Sequence, residues 1–95
     1  MPRFKKERCC RSLDSEKLFK PAAIGCKNLL IEEIFIDEFE AVRLCDHDNL
    51  SQVEAAERMN ISRGTVQRLL ESGRYKIVDA LLNNKGLKIT NNKEE

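Results

Sequence analysis

Residues 49–82 contain two helix-start signals placed close together, and this spacing constrains the fold more than any other feature of the chain. Ser51 is followed three residues later by Glu54, which makes a capping box in which each side chain accepts a hydrogen bond from the other residue's backbone N–H. Ser62 is a second N-cap. Between them, Asn60 favours the left-handed conformation that ends a helix, and Ile61 fills the corner. The pattern predicts two helices joined by a tight turn.

The apolar residues of this segment predict which side of each helix is buried. Ala55, Ala56 and Met59 form a stripe on the first helix, and the two small alanines allow the second helix to approach closely. At about 100° per residue, the buried side of the second helix is expected to carry Val66, Leu69, Leu70, Gly73 and Ile77. The opposite side carries Gly64, Gln67, Arg68 and Glu71. We interpret the pair as a helix-turn-helix whose second helix projects outward.

The first turns of the second helix are rich in hydrogen-bond donors and lack acidic residues. An arginine can donate two parallel hydrogen bonds to guanine O6 and N7, a glutamine can pair with adenine N6 and N7, and serine or threonine can reach a phosphate. We therefore predict binding to double-stranded DNA. The residues expected at base edges are Arg63, Thr65, Gln67 and Arg68. Those expected nearer the phosphates are Ser62, Arg74 and Lys76.

Gly64 is a further candidate in the interface, because it lies on the exposed face where a larger side chain would meet DNA. The simpler explanation is that the first turn of a helix tolerates glycine at little cost. For the whole segment, the simpler alternative is a solvated amphipathic helix whose charges only keep the protein soluble.

The segment SQVEAAERMNISRGTVQRLLESGRYKIVDAL resembles the helix-turn-helix of region 4 of bacterial sigma factors. Outside it, the basic start MPR, FKPA at 19–22, DEFEAVRL at 37–44 and KGLKI at 85–89 occur in the order typical of one small prokaryotic family. With these flanks the chain resembles uncharacterised protein family 0251 (domain of unknown function 134), whose members are predicted DNA-binding proteins. The resemblance implies a mainly α fold and a role in transcription regulation. Gln67 and Arg68 match the family's pattern, whereas Gly64 and Val66 depart from it.

The length of 95 residues is enough for one small domain with a modest core. We expect a single domain, 1–95, with a three-helix core and a minor pair of short strands. A strand at 32–36 is expected to end at Asp37, an N-cap for a helix from Glu38 to about Asp46, which turns Phe39, Val42 and Cys45 inward. The alternating segment 87–90 is the second strand, and the two strands could pair within one chain or between two.

The segments outside this core are predicted to be less regular. Residues 1–18 form a basic arm that could follow phosphates or enter a minor groove, or could be an ordinary solubilising terminus. Pro21 and Gly25 predict an extended crossing loop over 19–25. Residues 91–95 are expected to form a disordered tail.

The net charge of +1 is a weak argument against a nucleic-acid partner, but its distribution is uneven. Residues 1–27 carry eight Lys or Arg against three acids, residues 28–60 carry two against nine, and residues 61–90 carry six against two. This pattern predicts a polarised molecule in which the basic segments share one face and the acidic helices lie behind them.

The second half of the second helix carries additional apolar residues, Tyr75, Val78 and Leu82, on the side opposite its buried stripe. A helix that is apolar nearly all round is buried on more than one side. The cover could be the N-terminal arm of the same chain. We predict instead a homodimer, because two-fold symmetry would place two recognition helices on successive major-groove turns.

The four cysteines provide a rival hypothesis. Cys9, Cys10 and Cys26, with Cys45 and His47, could hold zinc or an iron–sulfur cluster, or sense redox state. The spacing opposes this, because no C-x-x-C pair is present and Cys45 falls on the inner side of its helix. We therefore expect no metal and no other cofactor.

Other classes of function have less support from the sequence. No Gly-rich phosphate loop and no paired-carboxylate motif is present, so we do not expect an enzyme. No apolar run of membrane-spanning length and no signal peptide is visible, which predicts a cytoplasmic protein. The remaining alternative is an adaptor that resembles sigma region 4 and uses its acidic residues to contact RNA polymerase or another regulator.

Overall fold

The computed structural model describes residues 17–22 and 29–91 of the chain. These residues form a mainly helical domain with a three-stranded sheet, so the prediction of a mainly α fold is confirmed. The strands are β1 (Lys17–Phe19), β2 (Ile31–Phe35) and β3 (Gly86–Thr90). The helices are α1 (Ile36–Val42), α2 (Gln52–Met59) and α3 (Arg63–Leu82), and a π-helical turn (Arg43–His47) continues α1.

The sheet has one strand more than the predicted pair. β3 is central, antiparallel to β1 and parallel to β2, with Leu18 opposite Lys88 and Ile34 opposite Ile89. The predicted arm is therefore wrong for Lys17 and Leu18, and the predicted loop is wrong for Phe19, because these three residues are β1. A strand this short carries too few residues for an alternating pattern to be recognised. The expected pairing of β2 with β3 occurs within one chain.

The start of α1 also differs from the prediction. Phe35, not Asp37, occupies the N-cap position, and its backbone N–H donates to Oε1 of Glu38 at 2.9 Å. Because Glu38 satisfies that N–H, the helix can begin at Ile36, and Asp37 is buried in its first turn. The inner side of this segment also differs, because Ala41 and Leu44 are fully buried while the predicted Phe39, Val42 and Cys45 are only partly so.

The two helices predicted in residues 49–82 form as expected. Ser51 Oγ accepts from the backbone N–H of Glu54 at 3.1 Å, and the Glu54 carboxylate accepts from the N–H of Ser51 at 2.9 Å. Asn60 has φ 61° and ψ 46°, the left-handed conformation, and ends α2. Ser62 then caps α3 through the backbone N–H of Thr65 at 3.1 Å.

Two clusters of apolar side chains hold these elements together. The larger cluster joins α1 and the π-helical turn to α2 and α3, with Ala41, Leu44, Ala55, Ala56, Met59, Val66 and Leu70 at its centre. The smaller cluster attaches the sheet to the helices through Ile34, Ile36 and Ile89. Both clusters leave the N-terminal turns of α3 with one side open to solvent. None of the helices in residues 17–22 and 29–91 has the length and apolar character of a membrane span.

Several predictions concern residues outside the described ranges. The rest of the basic arm (1–16), the turn at Gly25 and residues 92–95 of the predicted tail belong to this group. The prediction that the basic arm and α3 share one face also depends on residues outside the described ranges.

Candidate nucleic-acid interface

The N-terminal turns of α3 form a polar surface that is fixed by local hydrogen bonds. Ser62 Oγ lies 2.9 Å from Thr65 Oγ1, and Arg68 Nη2 donates to the same Thr65 oxygen at 3.2 Å. Gln67 and Arg68 are exposed, and Thr65 is half-buried. The structure therefore brings four of the predicted interface residues onto one continuous surface, with the cap residue Ser62 at its edge.

A hydrogen bond to the neighbouring helix α2 fixes the side chain of Arg63. Its Nη1 donates to Oε1 of Gln52 at 2.9 Å, across the turn between α2 and α3. Gln52 was not among the residues predicted from the sequence. Its position directly after the N-cap Ser51 could have indicated this role. When α2 and α3 cross at a steep angle, the first residue of α2 lies near the first residue of α3. This contact orients a side chain that would otherwise be free to rotate.

Gly64 is not required by packing. A Cβ atom added there would find only Nη1 of Arg68 at 3.9 Å and Oγ of Ser62 at 4.0 Å, which is open space. Its backbone has an ordinary negative φ, because no glycine of the described residues has a positive φ. Neither packing nor backbone conformation therefore requires glycine at position 64. Because Gly64 has no side chain, the surface between Arg63 and Arg68 is recessed.

Arg74 lies one helical turn or more beyond this surface and is paired with an acidic residue. Its Nε and Nη2 donate to the two carboxylate oxygens of Asp46 at 2.9 and 2.7 Å. This hydrogen-bonded pair raises the pKa of Arg74 and lowers the pKa of Asp46. The charge of Arg74 is thus largely compensated within the chain.

Lys76 is separated from the other predicted interface residues. Its Nζ donates to Oε1 of Glu38 at 2.8 Å and lies 4.5 Å from the centre of the Phe35 ring. Glu38 is buried and also accepts from Ser72 Oγ at 2.6 Å. Lys76 therefore belongs to a network that joins α3 to the start of α1, on the inner side of the helix.

The acidic residues lie mainly on the elements beneath α3. The first turn of α3 contains no acid, whereas the first turns of α1 and α2 do. Glu40 and Asp48 bind Arg43 at 2.6 Å each. Part of the negative charge of residues 28–60 is therefore neutralised by ion pairs within the chain. The hydrogen-bond donors at the start of α3 have no carboxylate within the first two turns of that helix.

The rival metal site finds no support in the described part of the chain. No group of three or more His, Cys, Asp or Glu side chains there is arranged to hold a metal ion. Cys45 is partly buried against the helical core, and burial raises the pKa of its thiol, as expected of a cysteine that acts as a small apolar residue. Cys9, Cys10 and Cys26 lie outside the described residues.

Known proteins similar to this chain include members of one family. A family profile with the description "Protein of unknown function DUF134" matches residues 1–94. A UPF0251 protein of Dehalococcoides mccartyi strain BAV1 is 46% identical over 89 residues, covering 94% of this chain and 76% of the relative. A UPF0251 protein of Caldanaerobacter subterraneus subsp. tengcongensis is 41% identical over 91 residues, covering 94% and 75%. No solved structure matches the chain.

Proposed function

The chain belongs to the DUF134 family of proteins of unknown function, and we propose that it is a sequence-specific DNA-binding transcriptional regulator. In this proposal α2 and α3 form a helix-turn-helix similar to that of sigma region 4, and α3 enters the major groove. The observation that carries the proposal is the donor-rich surface at the start of α3, fixed by its own hydrogen bonds and exposed to solvent.

The exposed side chains are assigned to base edges. Gln67 and Arg68 are both exposed near the start of α3, so we propose that they pair with adenine and guanine. Arg63 can reach a base edge or a phosphate from the position where Gln52 holds it. Each bidentate pair is worth about 1–3 kcal/mol of discrimination against the wrong base.

The smaller polar groups are assigned to the backbone of the duplex. Ser62 and Thr65 lie at the N-terminus of α3, where hydroxyl groups and the helix dipole both favour a phosphate. Gly64 lets the backbone of α3 approach the groove without a side chain in between. We assign Arg74 a lesser role because Asp46 already pairs with it, and we assign Lys76 none because Glu38 holds it.

The experiment that tests the proposal is a fluorescence-anisotropy titration with duplex DNA at several salt concentrations. Wild type is compared with Arg63→Ala/Arg68→Ala. Each lost base contact costs about 1–3 kcal/mol, so the double variant should bind its preferred sequence more weakly, and the slope of log K against log salt should flatten by no more than about 0.9, the share of the one phosphate contact open to Arg63. The matched control is Lys17→Ala/Arg58→Ala, which removes the same charge from two exposed residues on β1 and α2.

Selection of binding sites from a random duplex pool provides the decisive outcome. We expect wild type to enrich a defined sequence that the double variant does not retain, while the control variant enriches the same sequence as wild type. If wild type and Arg63→Ala/Arg68→Ala enrich the same sequences equally, or if neither enriches any, the proposal fails. The alternative is then the adaptor function, for which Glu57→Lys on the exposed side of α2 should weaken partner binding and the arginine changes should not. Neither function requires catalysis, and both place the protein in the cytoplasm.

A further inference from the structure

Glu71 lies on the exposed face of α3 that carries the proposed DNA-reading residues. At about 100° per residue, it falls about 60° from Arg68 and about 40° from Gln67 around the helix. The buried Val66 and Gly73 lie on the other side. Glu71 is itself exposed and is the first acidic residue of α3. The sequence predicted its place on this face but no contact for it.

Two arginines are neighbours of Glu71 along the helix, and neither pairs with it. Arg68 and Arg74 lie three residues before and after it, a spacing at which an acid and a base on a helix commonly attract each other. Arg68 Nη2 donates instead to Thr65 Oγ1 at 3.2 Å, so its guanidinium group points towards the start of α3. Arg74 donates with two nitrogens to Asp46. In the described part of the chain, no side chain forms a hydrogen bond or an ion pair with the Glu71 carboxylate.

An unpaired carboxylate restricts what this face of α3 can bind in the major groove. It accepts hydrogen bonds but cannot donate them, and like charge repels it from the phosphates. In the major groove only the amino groups of cytosine, at N4, and adenine, at N6, donate hydrogen bonds. Adenine also presents its N7 acceptor beside N6, which repels a carboxylate, whereas cytosine presents no second acceptor. Cytosine is therefore the base that a glutamate on this face fits best.

We propose that Glu71 is a specificity-determining residue that accepts a hydrogen bond from N4 of a cytosine. This inference rests on the proposed function, because it requires α3 to lie in the major groove. Glu71 is about 4.5 Å further along the helix axis than Arg68, which corresponds to between one and two base-pair steps of about 3.4 Å. The cytosine is therefore expected within about two base pairs of the guanine assigned to Arg68.

The charge of Glu71 also acts against the wrong sequences. On a duplex without the cytosine, the carboxylate stays unpaired among the phosphates, and repulsion weakens binding. Removing the charge should therefore strengthen binding to random-sequence duplex while the preference for cytosine is lost. A residue that only supported the fold would change the affinity for all sequences alike.

Selection of binding sites from a random duplex pool tests the contact. Wild type should enrich sites with a fixed cytosine, preferred over other bases by about 5- to 100-fold. Glu71→Ala should enrich the same sites with that one position degenerate. Glu71→Gln should prefer adenine there, because glutamine pairs with N6 and N7 of adenine. The matched control is Glu33→Ala, which removes the same charge from an exposed position of β2 and should select the same sites as wild type.

A modified duplex identifies the atom that Glu71 contacts. N4-methylcytosine keeps its pairing with guanine but carries a methyl group in place of the amino hydrogen that points into the major groove. In fluorescence-anisotropy titrations, wild type should bind the methylated duplex about 5- to 100-fold more weakly than the unmodified one. Glu71→Ala should bind both duplexes equally.

The outcomes separate this inference from the proposed function. If wild type enriches no sequence, the DNA-binding function fails and the cytosine contact fails with it. If wild type enriches a sequence and Glu71→Ala selects the same bases equally strongly at every position, the function stands and the contact is overturned. A wild-type preference for adenine at the position that depends on Glu71, or an equal loss of affinity for the methylated duplex in wild type and Glu71→Ala, would also overturn the contact with cytosine.

Discussion

Nζ of Lys76 lies 2.8 Å from Oε1 of Glu38, and this pair connects the middle of α3 to the first turn of α1. The side chains are only 19% and 9% exposed, so water screens their attraction poorly. The same carboxylate accepts from Phe35 N–H and Ser72 Oγ. Because its oxygens accept from the end of β2 and from two residues of α3, the Glu38 carboxylate of α1 holds the helix start, the strand end and α3 together.

The first prediction concerns this pair. Glu38→Gln and Lys76→Met should each lower the free energy of unfolding by about 1–3 kcal/mol, because each leaves a largely buried partner without its charge complement. The double variant should lose less than the sum, since it removes both charges. Urea denaturation measures all three. Glu71→Gln, at an exposed position of α3, is the control and should change the value by less than about 0.5 kcal/mol.

The second prediction separates the fold from the DNA surface. Lys76→Met should be less stable than wild type but should keep the salt dependence of DNA binding, because its ammonium group is held by Glu38. Arg68→Ala should keep the stability of wild type and bind the selected sequence about 1–3 kcal/mol more weakly, with relaxed preference at the base that Arg68 contacts. A reduced slope in Lys76→Met under conditions where it is fully folded would place Lys76 in the interface after all.

The third prediction compares two glycines of α3. A Cβ added at Gly73 would lie 3.0 Å from Cγ2 of Val42 and 3.2 Å from the backbone oxygen of Glu38. The backbone cannot easily move away, so Gly73→Ala should lower the free energy of unfolding by about 1–2 kcal/mol despite the better helix propensity of alanine. Gly64→Ala meets open space and should be neutral or stabilising by up to about 1 kcal/mol. Thermal unfolding compares them, and a Gly73→Ala variant as stable as wild type, or as strongly stabilised as Gly64→Ala, would contradict the close packing at Gly73.

The same two residues illustrate what could be predicted from the sequence. The caps Ser51 and Ser62, the left-handed Asn60 and the buried stripe of α3 were predictable, because each depends on residues within about four positions of it. Gly73 was correctly placed on the buried side for this reason. Its contact with α1 was not predictable, because it depends on how two helices cross.

The features that were missed depend on distant parts of the chain. Glu38 is 34 residues from Ser72 and 38 from Lys76, so no local pattern connects them. The sequence assigned Lys76 to a phosphate from its charge alone, and its ion pair with Glu38 was not predictable. β1 was missed because a strand of three residues is stabilised by its pairing with β3 and not by its own sequence. Gln52 was missed because its role depends on the position of Arg63 in three dimensions.

The fourth prediction concerns Gln52 as a positioning residue. Gln52→Ala should weaken DNA binding about two- to five-fold, because Arg63 then loses the hydrogen bond that orients it. Arg63→Ala should weaken binding more, and adding Gln52→Ala to it should have little further effect, since the two residues act through one contact. Gln67→Ala, which has an independent role in the proposal, should combine additively with Gln52→Ala. Additive losses for Gln52→Ala and Arg63→Ala would mean that Gln52 meets the DNA itself.

The fifth prediction is a pH dependence at the pair of Asp46 and Arg74, which joins the π-helical turn to α3. Hydrogen bonding to Arg74 lowers the pKa of Asp46 below its ordinary value of about 4. Because the folded pKa lies below the unfolded one, the stabilisation is complete above about pH 4 and is lost as the pH falls through the folded pKa. The pair therefore stabilises the fold at neutral pH and not in strong acid.

Asp46→Asn tests this dependence. The side chains are 41% and 50% exposed, so the variant should lose only about 0.5 kcal/mol of unfolding free energy at neutral pH, as for other exposed ion pairs. Urea denaturation at a series of pH values should show the two proteins converging as the pH falls from the unfolded pKa of about 4 through the lowered pKa of Asp46 in the folded protein, where the wild-type carboxylate becomes protonated. Glu57→Gln on the exposed side of α2 serves as the control for removing a carboxylate. A difference between wild type and Asp46→Asn that stayed constant with pH would mean that altered hydrogen bonding, and not the lost charge, causes the destabilisation.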